Sequence, residues 1–349
     1  MDYPQDTLPS NRRKRLILSA IMVKIRQSTF ELLRLVCMLM VMFGHTSGYV
    51  EEGDLVGAEG VSKLLVNQLC LVSVNVFVMI SGWFGIRASV KGAFKLLFQV
   101  WFLALLCFLV FLLLGLPVSF QKDLLPYLLF GSGYWFVVSY LILYALSPVL
   151  NAFIQRATKK EFTGVLVAFF LAEFLFGFLL NIGHFDFGFS PLSFIGLYLL
   201  SSYVRLHPAK VFSFSKSTDM LIYLSVTLVS ALLFWFGYKW FGMGFHLNHN
   251  DSPLAIVAAL YFLLFFSKLR FQNRFINWLA ASAFAIYLIH EDSLVSPLIH
   301  GTFHRLYDIV PYAAYYPLMI IILIVMGFAC ILIDKLRMWS WKRIENHLR

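Results

Sequence analysis

The chain has 349 residues, of which 60% are hydrophobic and only 13% are charged. This composition excludes an ordinary soluble globular domain and indicates a protein that crosses a membrane several times. The formal net charge of +10 does not indicate nucleic-acid binding here, because the basic residues lie between apolar segments, where they report membrane topology.

The apolar segments predict an all-α integral membrane protein with about ten transmembrane helices. A helix of about 20 residues crosses the hydrocarbon core of a bilayer. The predicted helices cover residues 29–49, 64–86, 94–115, 134–153, 162–182, 191–206, 217–241, 253–267, 274–291 and 312–334. The sixth, eighth and ninth of these helices are short for a span. Residues 117–132 predict a loop with a half-buried segment.

Most of the 28 lysines and arginines fall on one side of this arrangement when the N-terminus is placed in the cytoplasm. They cluster in the N-terminal segment, in alternate loops and in the C-terminal tail, whereas the remaining loops carry acids and histidines. The positive-inside rule therefore predicts that both termini are cytoplasmic. The chain then divides into a basic cytoplasmic segment, 1–27, a polytopic membrane domain, 28–335, and a basic cytoplasmic tail, 336–349.

The first predicted helix contains the most informative polar residues. Ser28, followed three residues later by Glu31, is typical of a capping box. Arg34 and His45 interrupt an apolar run at a spacing of eleven residues, so they project from one helix face with a rise of about 16 Å between them. An arginine in hydrocarbon costs at least roughly 2.5–3.5 kcal/mol, which indicates a function. Snorkelling of Arg34 to the headgroups is the alternative.

His45 is the candidate general base. Near neutral pH a histidine can take the proton from a hydroxyl group as its oxygen attacks an electrophile. Arg34 on the same helix face could hold the anionic end of a donor molecule. The pair therefore predicts group transfer across or within the membrane. A structural histidine that bonds to water at the interface is the alternative for His45.

Other polar positions carry weaker signals, and the common hydrolase, nucleotide-binding and zinc-protease motifs are absent from the sequence. His246 and His249 could bind a metal, but their loop offers no clear third ligand, so we predict no metal site. Asn75 lies in an apolar run and suits hydrogen bonding between helices. The Ser81-Gly82 pair can bring two helices close together or break one.

Five segments, in order, resemble motifs of the membrane-bound acyltransferase 3 family. ELLRLVCMLMVMFGH resembles its opening motif, in which ten residues separate an arginine from a histidine. VSVNVFVMISGWFGIR resembles its second-helix motif, which leads to Ser-Gly-aromatic. Three later segments are similar to further helices of the family: YWFVVSYLILYALSPVLN, PLSFIGLYLLSSYVRLH and NWLAASAFAIYLIHED. Together the five cover residues 28 to 292.

The resemblance implies an O-acyltransferase of the cell (inner) membrane. Such an enzyme moves an acyl group, most often acetyl, from acyl-coenzyme A to a hydroxyl of a cell-surface saccharide or its lipid-linked precursor. The implied partners are the bilayer, acyl-CoA, a saccharide or glycolipid acceptor and proteins of polysaccharide biosynthesis. Nucleic acid and a permanently bound cofactor are not expected.

The resemblance also assigns roles to residues of this chain. It makes His45 and Arg34 catalytic. The coenzyme A binding residues are Arg34, Ser81, Arg87, Lys91 and Lys95, and the acceptor-binding residues are Glu31, Asn75, Trp135, Tyr287 and His290. Asn75 stands where many members have aspartate. Lysines stand where many members have arginines, and a lysine holds a phosphate as a point charge rather than as a fork.

Two other functions stay open at this point. A transporter or flippase of a lipid-linked glycan would also have many helices and polar outer loops. It predicts inverted repeats or broken helices with paired charges at mid-membrane, and the sequence shows neither. A non-catalytic member of a polysaccharide assembly complex would not need the arginine and the histidine. The sequence does not distinguish an acetyl from a succinyl donor.

Overall fold

The computed structural model describes residues 27–46, 57–182, 184–242, 244 and 246–347. Within these ranges the chain is helical and has no strand. The α-helices are α1 Ser28–Thr46, α2 Gly57–Cys70, α3 Val72–Phe84, α4 Val90–Leu113, α5 Leu125–Leu128, α6 Trp135–Arg156, α7 Lys159–Ala172, α8 Pro191–Leu206, α9 Lys216–Phe241, α10 Pro253–Ser267, α11 Arg274–Ala280, α12 Ala283–His290, α13 Ser296–Ile309 and α14 Tyr312–His347. Short π-helical or 3₁₀ segments are Phe120–Leu124, Glu173–Leu179, Asp186–Gly188 and Lys210–Phe212. The predicted segment 1–27 lies outside the described residues except for Gln27.

Seven helical stretches of the described chain are long and apolar enough to cross a membrane: Ser28–Thr46, Gly60–Phe84, Val90–Leu113, Trp135–Arg156, Lys159–Leu179, Lys216–Phe241 and Ala313–Asn346. Three of the predicted spans are shorter than this. α8 and α10 have 16 and 15 residues, and a turn at residues 281–282 divides the predicted ninth helix into α11 and α12. The chain is a multi-pass, all-helical membrane protein. The number of ten spans and the cytoplasmic termini stay predictions.

The short helices lie at the centre of the bundle. α3 packs against α1, α8 and α10, and α12 packs against α1, α4 and α14. Most side chains of α10 and α12 are buried in the protein. A helix that is apolar on all sides is buried on all sides. The bounds of α10 agree with the predicted range 253–267, whereas the break between α11 and α12 was not predicted.

The start of α1 differs from the predicted capping box. Ser28 is the first helical residue, so its hydroxyl lies inside the first turn rather than ahead of it. The Ser28 Oγ donates to Gln272 Oε1 at 2.9 Å and accepts from the backbone N–H of Asn273 at 2.8 Å. Glu31 pairs with Arg34 instead of reaching back to the helix start. Ser28 thus ties α1 to the segment that precedes α11.

Gly82 allows α3 to approach α8 closely. A Cβ atom at this position would collide with the carbonyl oxygen of Tyr198 and with the Oγ of Ser201. The carbonyl oxygen of Gly82 accepts a hydrogen bond from Ser202 Oγ at 2.7 Å. Gly85, with a φ of +76°, then ends the helix, because a positive φ suits glycine. The glycine in the Ser81-Gly82 pair therefore brings two helices together.

The C-terminal third contains more helix than the sequence analysis predicted. α13 lies between the predicted helices 274–291 and 312–334, where no helix is predicted, and it buries Phe303 while it exposes His304. α14 continues past residue 334, where Asp334 accepts two hydrogen bonds from Arg337, both at 2.8 Å. Gln99 on α4 donates to the same carboxylate at 3.1 Å. The predicted boundary at residue 335 therefore falls inside a helix.

Candidate active site

The ends of α1 and α12 meet and bring three titratable side chains together. His45 Nδ1 lies 2.8 Å from Glu291 Oε1 and 3.1 Å from His290 Nε2. His290 Nε2 lies 3.6 Å from Glu291 Oε1. His45 and His290 are 245 positions apart in the sequence, so only the tertiary packing of α1 against α12 creates this cluster.

The surrounding hydrogen bonds fix where the protons of the two histidines lie. His290 Nδ1 is 2.7 Å from the carbonyl oxygen of Ile286, so this nitrogen carries a proton and donates it. In neutral His290 the Nε2 atom is then an acceptor. His45 Nδ1 faces this acceptor and the carboxylate of Glu291, so it also carries a proton. The lone pair of His45 is thereby left on Nε2, where a general base needs it.

The cluster combines a rigid side with an open side. The His290 side chain is 2% exposed, whereas those of His45 and Glu291 are 22% and 26% exposed. α12 is further held by Tyr134, whose hydroxyl donates to the carbonyl oxygen of Leu288. Tyr287 on the same helix packs its ring against that of Tyr134. His45 is therefore oriented by fixed neighbours while it stays accessible.

Two cavities of very different size meet at Trp135. The narrow cavity, of about 20 Å³, lies beside His45 and is lined by Phe77, Tyr287 and other apolar side chains. The wide cavity, of about 620 Å³, lies between α6 and residues 177–191. Trp135 lines both cavities, and its ring packs 4.5 Å from that of Phe189. A molecule in the wide cavity would thus be one side chain away from the His45 cavity.

The wall of the wide cavity has an unusual backbone. Asn181, Asp186 and Phe187 line it and have positive φ angles of 47°, 49° and 55°. Residues other than glycine rarely adopt this conformation, and such positions cluster at functional sites. The carbonyl oxygen of Phe187 accepts from the backbone N–H of Asn250 at 3.0 Å. Asn75, which is fully buried, donates to the carbonyl oxygen of Asn250 at 2.8 Å. Asn75 therefore holds the backbone of Asn250, which in turn holds that of Phe187.

Arg34 lies toward the opposite end of α1. Its Nη1 is 2.7 Å from Glu31 Oε1, and its side chain is 29% exposed. One turn earlier in α1, the ring of Phe30 packs 5.8 Å from that of Trp83. Ser81, two residues before Trp83, has its Oγ 3.2 Å from the hydroxyl of Tyr140. The packing of α1 against α3 therefore places Arg34, Glu31 and Ser81 toward the same end of the bundle, where Glu31 is the partner of Arg34.

The other predicted donor-binding residues follow α3 at this same end of the bundle, where the ring of Phe30 packs 4.8 Å from that of Phe84. Arg87, Lys91 and Lys95 have exposed side chains. Lys91 Nζ lies 2.5 Å from Glu345 Oε1, and this salt bridge partly neutralises the charge of Lys91. We call the region formed by the first turns of α1 and residues 83–95 the Arg34 end.

The backbone of the segment between α3 and α4 is held in place. The N–H of Ile86 donates to the hydroxyl of Tyr198 at 2.9 Å, and its carbonyl oxygen accepts from Asn151 Nδ2 at 2.8 Å. Ser89 is held in the same way by Tyr144. Arg87 therefore extends from a backbone that hydrogen bonds hold in place, so its charged group stays near one position.

Glu291 is the residue of the cluster that the sequence analysis missed. It lies in the last of the five family-like segments, NWLAASAFAIYLIHED, but the sequence analysis gave it no role. The available signal was its position directly after His290, at the end of the segment AIYLIHED. The structure joins Glu291 with the predicted residues His45 and His290, and places Tyr287 and Trp135 around the narrow cavity.

Two groups of side chains resemble metal ligands. Among the described residues, one group of three histidine, cysteine or acidic side chains has its ligand atoms within 4.8 Å of one another, and it consists of His45, His290 and Glu291. The rings of His246 and His249 lie 5.1 Å apart, but His246 Nδ1 already bonds to a carbonyl oxygen. Burial, with the nearby His246, lowers the pKa of His249 to about 4. The sequence analysis predicted no metal site and did not identify the group of His45, His290 and Glu291.

The chain matches the model of a known protein family. A family model described as an acyltransferase domain, that of acyltransferase 3, matches residues 28–333. This range contains α1 with Arg34 and His45, and also α12 with the adjoining Glu291. Searches among curated proteins and among solved structures found no match to the chain.

Proposed function

The chain belongs to the acyltransferase 3 family, and on this basis we propose that it transfers an acetyl group from acetyl-CoA to a hydroxyl of a cell-surface saccharide or of its lipid-linked precursor. The observation that carries the proposal is the contact of His45 Nδ1 with Glu291 at 2.8 Å. This contact leaves Nε2 as the proton acceptor. In this proposal the enzyme works in the cell (inner) membrane, and both substrates visit it without a permanently bound cofactor.

Acyl transfer by this route needs a base that takes the hydroxyl proton and an anion that stabilises the protonated base. His45 Nε2 takes the proton of the acceptor hydroxyl while the hydroxyl oxygen forms a bond to the thioester carbonyl carbon. The carbon–sulfur bond then breaks, and the coenzyme A sulfur takes the proton from His45. Between these steps His45 is an imidazolium, and the Glu291 carboxylate offsets its charge, as the aspartate does in a Ser-His-Asp triad.

The donor is proposed to bind at the Arg34 end. An arginine has five N–H donors, and the bond to Glu31 occupies only part of the guanidinium. Further N–H groups can bond to phosphate oxygens, and the exposed side chains of Arg87 and Lys95 add positive charge. The rise of about 16 Å between Arg34 and His45 suits an extended pantetheine arm that carries the thioester toward the base.

The acceptor is proposed to bind in the wide cavity. Its lining combines aromatic rings, such as Trp135 and Phe187, with the polar side chains of Asn181, His184 and Asp186. A sugar ring has apolar C–H faces and polar edges, so it suits such a lining. The narrow cavity beyond Trp135 has room for little more than one small group. A single hydroxyl of the sugar would therefore reach His45.

The first test uses membranes that carry the wild-type protein or His45→Ala, incubated with radiolabelled acetyl-CoA. We expect label in a saccharide-bound fraction that alkali releases, and loss of this label with His45→Ala. His304→Ala is the matched control, because this side chain is 81% exposed on α13 and lines neither cavity. Full labelling by a normally inserted His45→Ala protein contradicts the assignment of the base.

A second outcome tests the reaction class. If neither acetyl nor succinyl donors give label with the wild-type protein, acyl transfer is contradicted. The next measurement would then be export of a lipid-linked glycan by cells that contain or lack the protein, since a multi-pass bundle with a wide cavity also suits transport.

A further inference from the structure

The His45–His290–Glu291 cluster has the dimensions of a zinc site. Zn²⁺ binds histidine nitrogens and carboxylate oxygens at about 2.0–2.2 Å in a tetrahedral arrangement, so its ligand atoms lie about 3.4 Å apart. The three ligand atoms of the cluster are 2.8, 3.1 and 3.6 Å apart. Movements of about half an ångström would therefore place one ion within bonding distance of all three.

The type of ligand narrows the choice of ion. Two imidazole nitrogens and one carboxylate oxygen are the protein ligands of several zinc enzymes, with a water as the fourth ligand. Mg²⁺ and Ca²⁺ prefer ligands that are all oxygen, so they are poor candidates. These ligands therefore favour a first-row transition metal. Among such metals we consider zinc, because Zn²⁺ has no redox chemistry.

His290 is already prepared to be a metal ligand. Its Nδ1 bonds to the carbonyl oxygen of Ile286 at 2.7 Å, and the side chain is 2% exposed. Metal-binding histidines usually donate their second N–H in this way, which fixes the ring and directs the lone pair of the other nitrogen at the ion. His45 and Glu291 are about a quarter exposed, so an ion can reach the cluster from solvent.

A metal and a proton compete for the same atom of His45. Acyl transfer as proposed needs the proton on Nδ1 and the lone pair on Nε2. A metal ion on Nδ1 reverses this arrangement, because the neutral ring then carries its proton on Nε2. The metal would also bind the Glu291 carboxylate, whose negative charge could then no longer stabilise the His45 imidazolium.

From this geometry we propose that His45 Nδ1, His290 Nε2 and Glu291 Oε1 form a Zn²⁺ site, and that bound zinc reversibly inhibits the transferase. Binding of the ion follows from the cluster alone. The inhibitory effect rests on the proposed function. The two parts therefore have separate tests.

Binding is measured on the full-length protein, purified in detergent without a histidine tag and treated with a chelator. Equilibrium dialysis with Zn²⁺ is expected to give one bound ion per chain, and Co²⁺ is expected to give the visible absorption of a tetrahedral site. His290→Ala should weaken binding at least about tenfold, and the matched control His304→Ala should bind like the wild type. Glu291→Gln keeps the shape of the side chain, removes its charge and should also weaken binding.

The outcomes separate the two parts of the inference. Wild-type binding that does not exceed the binding of Glu291→Gln and His290→Ala overturns the site. Inhibition predicts that added Zn²⁺ lowers the rate of acetyl transfer and that a chelator restores this rate. If zinc binds at the site but the rate of acetyl transfer does not fall, inhibition is overturned. A metal-free protein with no transferase activity at all contradicts the proposed function instead, and it leaves the binding measurement valid.

Discussion

Glu291→Gln is the sharpest test of the mechanism, because it removes one charge and keeps the size of the side chain. The Glu291 carboxylate accepts from His45 Nδ1 at 2.8 Å. In the proposed mechanism this contact first orients the His45 ring. Once Nε2 has taken the proton of the acceptor, the contact joins a carboxylate to an imidazolium. The substitution therefore acts mainly on the step in which His45 is charged.

The size of the effect follows from the contact. A hydrogen bond to a charged group contributes about 1.5–3 kcal/mol. The Glu291 side chain is 26% exposed, so solvent screens part of its charge and the lower part of this range applies. At about 1.4 kcal/mol for each tenfold change in rate, kcat should fall roughly 10- to 50-fold. The KM for acetyl-CoA should stay unchanged, because the donor is proposed to bind at the Arg34 end.

The assay is the initial rate of acetyl transfer at varied acetyl-CoA concentration, with Asp308→Asn as the control. Asp308 is an exposed acid paired with His304 on α13, away from both cavities, so its substitution should leave the rate as it is. Adding Glu291→Gln to His45→Ala should cause no further loss, since both residues act on one step. An unchanged kcat, or a loss in the double variant that equals the sum of the single losses, would refute the reasoning.

Three further predictions concern the donor, the packing and the pH. Arg34→Lys should raise the KM for acetyl-CoA about tenfold in the same assay, because a lysine cannot bond to two oxygens as a fork. Gly82→Ala should lower the unfolding temperature in detergent by an amount equivalent to about 1–3 kcal/mol, whereas Gly164→Ala, whose new Cβ has no neighbour within 4 Å, should not. Burial raises the pKa of Asp251 to about 6, so the folded state holds this proton more tightly than the unfolded state, and stability falls as the pH rises through that value. Asp251→Asn should therefore raise the unfolding temperature at about pH 7 and have little effect near pH 4, and an equal gain at both pH values would exclude this cause.

Local sequence patterns were sufficient for the long helices and for the spacing within α1. Arg34 and His45 lie in one continuous helix, Ser28–Thr46, so the predicted rise between them holds. They also predicted the bounds of the buried helix α10, Pro253–Ser267. They failed for the predicted helix 274–291, which breaks at residues 281–282, because neither glycine nor proline marks this break.

The active-site cluster shows a different limit. The sequence could nominate His45 and His290 separately, because each is a polar residue at the end of an apolar run. It could not pair them, since nothing local relates the end of α1 to the end of α12. The same holds for Asn75, whose role as a buried polar link was foreseen but whose partner, the backbone of Asn250, was not. Contacts between distant helices have to come from a structure.

The proposals for catalysis and for zinc depend on the same three side chains, but they need different things from His290. Catalysis needs Glu291 for its charge and uses His290 as an acceptor that helps to keep the proton of His45 on Nδ1. Zinc needs His290 as a ligand with a full lone pair. His290→Ala should therefore reduce sensitivity to zinc more strongly than it reduces kcat, whereas Glu291→Gln should reduce both. A single measurement of acetyl transfer against zinc concentration in these two variants distinguishes a shared site from a remote inhibitory one, because a remote site predicts that neither variant changes the response to zinc.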